Sequence, residues 1–345
     1  MTSKSTGTNA AAQFAEPLRE RRPALRWAQS LLGPFVGLLL VAVVFSAAQW
    51  VVDKESPFLQ PERMKLVAKQ TTIVGMGALG MTVIIIGGGI DLSAGSILAL
   101  TAVVLAVALK EGAPPVVALA LMLATGTAAG LLNGLLITGL RLVPFIVTLG
   151  SMLAFRGLAE FVSDQKKIQA PAPDWLAGLL DRPPADSWQL VPLGVWIVIA
   201  LGVVLAIVLR NTVFGRYVFA IGSSEATARL CGVPVTAVKL GIYTLGGFFL
   251  ALAGLLDFND LNRQGSPTSG LGLELEMIAA VVIGGGSLRG GRGSVLGSLV
   301  GATTMALLKS GCVYAGLSDP VQKVIVGAII VAAVAVDQWT HGARE

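Results

Sequence analysis

The stretch FGRYVFAIGSSEATARLCGV, residues 214–233, lies between two long apolar segments and carries charge, hydroxyls and helix-stop signals of its own. Ser223-Ser224-Glu225 offers an N-cap followed by an acid in the first helical turn, where the macrodipole favours negative charge. Gly232 and Pro234 supply the stop. The spacing predicts a short helix over 224–232 lying across a membrane surface, with Arg216 and Arg229 near the ends of the segment. An ordinary amphipathic loop helix has the same pattern, so the flanking sequence must decide what the segment is for.

Outward from it the chain is apolar almost throughout. Of its 345 residues 54% are hydrophobic and only 13% charged, with a mean hydropathy of +0.78. That leaves too little polar surface for a water-soluble globule of this length. A bilayer-crossing helix needs about 20 mostly apolar residues. The expected fold is an all-α polytopic membrane protein of about ten transmembrane helices in two related repeats, some short or re-entrant. The candidate spans are 31–52, 71–87, 93–109, 116–140, 144–162, 190–209, 235–256, 275–285, 294–312 and 321–336. They divide the chain into an N-terminal tail 1–30, a membrane domain 31–338 with a polar loop at 210–234, and a C-terminal tail 339–345.

Charge placement orients this map. With the N-terminus inside, Arg19, Arg21, Arg22 and Arg26 share the cytoplasmic side with Arg141, Arg210, Arg216, Arg229, Arg289 and Arg292, as the positive-inside rule asks. The C-terminus is then cytoplasmic too. The outer loops 164–186 and 257–276 are mixed or acidic, whereas 54–69 holds four basic residues and gives no preference for either side. The net charge of +5 is spread among loops and is no footprint for nucleic acid. Residues 31–52 are too long and apolar for a signal peptide. Cys231 and Cys312 fall on opposite sides and are not expected to pair, and the single histidine, His341, lies in the tail, so no His-based metal cluster or triad is expected in the membrane domain.

Two stretches echo each other: VIIIGGGIDLSAGS at 83–96 and VVIGGGSLRGGRGS at 281–294. Each ends an apolar helix in three glycines, turns, and opens the next helix at Gly-Ser. Repeated halves mark transporters, although glycine turns between membrane helices also converge without common descent. The structural-turn residues are Gly87, Gly88, Gly89, Asp91, Ser93, Gly284, Gly285, Gly286 and Gly293. Asp91 beside Ser93 reads as a cap for the helix beginning at Ala94, or as part of a transport path. The run 284–293 imitates a dinucleotide loop, but no strand-turn-helix unit surrounds it and the chain has no G-x-x-x-x-G-K-[ST] sequence. Any ATP must be bound by another polypeptide, and no cofactor is expected on this one.

Six ordered stretches, 80–96, 130–138, 144–150, 155–158, 215–233 and 279–294, resemble the permease subunits of bacterial ribose-type ABC importers, in the branched-chain amino acid/monosaccharide permease superfamily. The resemblance runs from about residue 69 to 337. It implies a multi-pass protein of the bacterial inner membrane that moves a monosaccharide or related polyol. Its implied partners are a second permease subunit, identical or related, a cytoplasmic tandem ATPase and an extracytoplasmic sugar-binding protein. It also implies that Gly215, Arg216, Glu225, Ala226, Arg229 and Gly232 lie on the element that docks into the ATPase.

Within the membrane, Arg156 and Glu160 are spaced to pair along one helix. Glu276 is placed to complement the dipole of the short helix that follows. A neutral sugar needs several weak hydrogen bonds so that it can also leave, which points to Asn133, Thr148 and Ser151 for the path, Asn133 reading equally as a contact between helices. Asp257, Asp260 and Glu274, with Arg263 the lone base of their loop, are the candidate docking surface for a binding protein, and 164–188 is the second choice. Permeases for branched-chain amino acids or nucleosides remain alternatives. An ion-coupled secondary carrier is disfavoured by the few carboxylates inside the spans, and a membrane enzyme by the lack of a catalytic constellation.

Overall fold

The computed structural model describes residues 23–52, 59–181 and 190–342; Arg19, Arg21 and Arg22 of the N-terminal tail and Arg182, Asp186 and Trp188 of the outer loop lie outside them. Every candidate span holds a helix. In chain order these are α1 (Pro23–Val52), α2 (Pro61–Ile86), α3 (Ala94–Lys110), α4 (Pro115–Gly139) and α5 (Pro144–Val162), then α7 (Leu193–Asn211), α10 (Val235–Asp260), α11 (Leu273–Ile283), α12 (Val295–Tyr314) and α13 (Asp319–Gly342). Between them lie a four-residue helix α6 (Asp174–Ala177) and the pair α8 (Val213–Ser223) and α9 (Glu225–Leu230). Among the described residues, six helices are long and apolar enough to cross a membrane: α2, α4, α5, α7, α10 and α12. The protein is an all-α, multi-pass membrane protein.

α2 is the central post. Its most apolar window is 83% buried against 28% for α4, α5 and α7, which turn their Leu, Ile and Val side chains outward. α2 packs on α10, α12, α11 and α7. Close approach relies on small residues, as expected where lipid removes the hydrophobic drive between helices. On α4 and α10, a Cβ added to Gly130 would lie 3.0 Å from Gly247 Cα, and one added to Gly247 would lie 3.0 Å from Gly130 Cα.

α11 stops well short of a crossing. α11 spans 11 residues, about 16 Å at 1.5 Å per residue, against about 30 Å of hydrocarbon. The chain reaches its start by running back along α3: Gly265 packs at Ala102 and Val103, and Gly270 packs at Gly95. Residues 261–272 are therefore a re-entrant segment, and α3 and α11 begin next to each other inside the protein. A two-residue antiparallel pairing, β1 (Ile168–Gln169) with β2 (Gln264–Gly265), joins this segment to the loop after α5. The pair Arg263–Asp174 at 3.3 Å adds a second tie. The two loops that the sequence separates are one structure.

The echoing glycine turns have the same geometry. Gly87, Gly88 and Gly89 donate to the carbonyls of Val83, Ile85 and Ile84, and Gly284, Gly285 and Gly286 donate to those of Ala280, Val282 and Val281. Gly88 and Gly285, at φ 79° and 86°, take the left-handed position that closes such a motif. The same closure ends α3 at Gly112, α9 at Gly232 and α12 at Gly316, so the turn alone does not carry the repeat.

Candidate functional site

The polar loop folds as two helices rather than one. Thr212 caps α8, its hydroxyl accepting from Gly215 N–H at 3.2 Å. The inward stripe Phe214, Val218 and Ile221 follows helical spacing, with Val218 and Ile221 buried and Phe214 against Gly241 of α10. Ser224 breaks the helix and caps α9, accepting from Thr227 N–H at 3.3 Å. Gly232, at φ 79°, closes it. The predicted cap and stop are both present; α8 is the added element.

The residues expected on this surface divide into two groups. Arg216, Ala226, Arg229 and Gly232 are exposed. Gly215 is buried in the bend between α7 and α8, against the Leu209 backbone, and presents nothing outward. Glu225 faces inward as well as outward, accepting from Arg229 at 3.0 Å and from Lys239 of α10 at 2.6 Å. Those hydrogen bonds, Lys239 first, hold its carboxyl below the usual carboxylate range. Glu225 therefore ties α9 to α10. A residue that the sequence reading missed is Leu230, 89% exposed at the tip of α9 beside exposed Arg229 and Cys231.

Directly behind α8 and α9 the glycine turns converge. Gly291 donates to Ile86 O at 2.8 Å. A Cβ on Gly290 would lie 2.7 Å from Gly222 O and 2.8 Å from Gly88 Cα, and one on Gly291 would lie 2.9 Å from Ser223 Cα. The end of α2, the end of α8 and the turn before α12 thus meet backbone to backbone, with the Ser223 hydroxyl beside Gly291.

Deeper in, Asp91 is buried and its Oδ1 accepts from Ser93 N–H at 2.8 Å and from Ser93 Oγ at 2.5 Å. This is an Asx-type turn; the N-cap of α3 is Ser93, whose side chain makes no capping bond. Asn133 donates to Ser93 Oγ at 2.9 Å, Thr148 to Ile90 O at 3.1 Å and Ser151 to Thr148 O at 3.3 Å. All three are buried. Asn133 and Thr148 brace the segment between α2 and α3, and Ser151 bonds within α5.

Arg156 donates to the carbonyls of Pro267 and Ser269 at 2.5 and 2.6 Å. It holds the re-entrant segment instead of forming the expected pair with Glu160. The three acids expected at a docking surface are scattered. Asp257 is buried and accepts from Ser269 Oγ. Asp260 pairs with Lys69 at 3.1 Å. Glu274 stands in the first turn of α11 with an oxygen accepting from Gly272 N–H at 3.3 Å. Glu276 shares that turn and pairs with Lys309 at 2.6 Å.

The described fold is that of a multi-pass membrane protein with an exposed pair of polar helices. The family described as "Branched-chain amino acid transport system / permease component" matches residues 64–334. Among curated relatives, the ribose import permease protein of Bacillus subtilis (strain 168) is 38% identical over 307 residues, 89% of this chain and 92% of the relative. The ribose import permease protein of Escherichia coli (strain K12) is 36% identical, covering 83% and 89%. The fructose import permease protein of Rhizobium meliloti is 35% identical, covering 87% and 84%. No solved structure matches. The chain belongs to the branched-chain amino acid transport system permease component family.

Proposed function

We propose that this chain is the membrane-spanning subunit of an ATP-driven importer for a monosaccharide, in the bacterial inner membrane. The observation that carries the reading is the similarity to permeases named for ribose and fructose import along most of both chains. In this reading α8 and α9 face the cytoplasm, and Arg216, Ala226, Arg229 and Leu230 form the surface that docks into a separate ATPase. Glu225 and Gly215 position that surface. The N- and C-termini lie on the same side, a second copy or a related chain completes the pathway, and lipid covers the outward apolar faces. An extracytoplasmic sugar-binding protein docks at the opposite end, on the joined loops around β1 and β2, where Asp260 is the exposed member of the acidic set. The chain performs no chemistry on its cargo and hydrolyses no ATP itself.

The test is uptake of radiolabelled ribose and fructose into proteoliposomes holding the chain with its tandem ATPase and binding protein. Arg229→Ala and Leu230→Asp should abolish uptake while leaving the chain inserted and the ATPase able to hydrolyse ATP. Unchanged uptake in both variants would remove α9 from the docking surface.

A further inference from the structure

A cavity of about 600 Å³ opens between α11, α12 and α13, of a size that suits a small molecule. None of the residues expected on the path lines it. Its polar lining is Glu276, Lys309, Asp319, Gln322 and Lys323, two acids and two bases that sum to no net charge. Glu276 and Lys309 are bonded to each other. The second Glu276 oxygen is buried, with no hydrogen-bond partner among the described residues. Leu275, Val326 and Ile330 supply an apolar wall. Lys309 lies 15 residues beyond Ser294 along α12, about 22 Å from the glycine turns at 1.5 Å per residue. Glu276 lies eight residues before Gly284, about 12 Å from the same turns, so the cavity lies beyond the glycine turns from α8 and α9, at the depth where α11 begins.

We infer that this cavity is an entry vestibule for a neutral monosaccharide, resting on the sugar-importer reading above. Balanced charge gives no advantage to an ionic solute. Donors and acceptors set beside an apolar wall suit hydroxyls on one side of a sugar ring and C–H bonds on the other. The Glu276–Lys309 pair, with Lys309 39% exposed, presents charged hydrogen-bonding groups to a sugar hydroxyl. Lys323 and Asp319, both exposed, provide weaker contacts at the mouth.

Gly327 lines the cavity and has nothing within 4 Å of where a Cβ would stand, so a side chain there enters open space without disturbing the packing. The experiment places Gly327→Cys in a Cys231→Ser background, Cys312 being buried, and follows its reaction with a maleimide in the purified full chain. Ribose and fructose are the probes, with glycerophosphocholine to detect a lipid headgroup site. At a concentration ten times its Kd a bound sugar should slow labelling about tenfold. Labelling unchanged by either sugar, or slowed only by glycerophosphocholine, overturns the vestibule. Should the cysteine variant fail to insert, Gly327→Leu in the transporting complex is the second reading: uptake should fall at least about tenfold with stimulated ATP hydrolysis retained, and wild-type uptake overturns the proposal. The labelling needs no ATPase, so protection by sugar in a chain that shows no ATP-driven uptake would uphold the vestibule and sink the importer reading.

Discussion

Gly222→Ala tests whether α8 and α9 act on the glycine turns through direct backbone contact. An added Cβ would sit 2.9 Å from the Ile86 carbonyl carbon, nearer still to its oxygen, and against Gly291 N. None of these is a flexible side-chain end, so α8 must move off the turns. The move threatens the Gly291–Ile86 hydrogen bond, worth about 1 kcal/mol net, or about 1–3 kcal/mol if its groups are left unpaired. Overpacking adds about 1–3 kcal/mol, for a total of about 2–6 kcal/mol against the docked arrangement. A shift of about 2 kcal/mol already changes an equilibrium about 30-fold. In proteoliposomes with ATPase and binding protein, uptake should fall by at least about tenfold, while ATP hydrolysis continues without response to the binding protein. Gly139→Ala, where nothing lies within 4 Å, is the control. Uptake and stimulated hydrolysis equal to wild type in a variant of normal yield would refute the contact as the route of coupling.

Asp91→Ala should lower thermal stability in detergent by about 1–3 kcal/mol, because Ser93 N–H loses its acceptor in a buried site, whereas Asp91→Asn keeps a carbonyl there and should lose much less; equal losses in both would mean that charge, not the turn, matters. Glu225 has its folded pKa depressed below 4.5 by Lys239 and Arg229. Its contribution is present above that value and is lost as pH falls through the folded pKa. Melting profiles of wild type and Glu225→Gln should therefore differ at pH 7, by no more than about 1 kcal/mol for so exposed a pair, and converge in acid. The purified chain without an ATPase subunit should not hydrolyse ATP, and turnover by homogeneous protein would contradict that.

The sequence located all ten long or short apolar helices because hydropathy reports lipid burial directly. Residues 144–162 are matched end to end by α5. α2 begins at Pro61, ten residues before the expected start, because its first turns carry Glu62, Arg63 and Lys65 and fail an apolar window while still forming helix after a proline at N1. α8 was legible in the spacing of Phe214, Val218 and Ile221, but the stronger cap at Ser224 drew the helix start there. The cap and stop of α9 were readable since both are local. Asp257 was not, since its burial depends on Ser269 across a re-entrant segment. The partners of Arg156 lie more than 100 residues away, a pairing that i,i+4 spacing cannot anticipate. Asn133 and Thr148 have chemistry that suits a path, and the same amide and hydroxyl satisfy backbone and side-chain groups around the α2–α3 break, partners that lie 40 and 58 residues away.

The central claim is that α9 is the cytoplasmic surface where a separate ATPase docks. Cys231 follows α9 directly and is exposed, while Cys312 is buried, so the native chain carries its own reporter. The measurement is labelling of Cys231 by a membrane-impermeant maleimide in right-side-out and inverted vesicles, with and without the ATPase subunit. The account predicts labelling in inverted vesicles only, and protection when the ATPase is bound. Labelling in right-side-out vesicles, or full reactivity in the assembled complex, would contradict it.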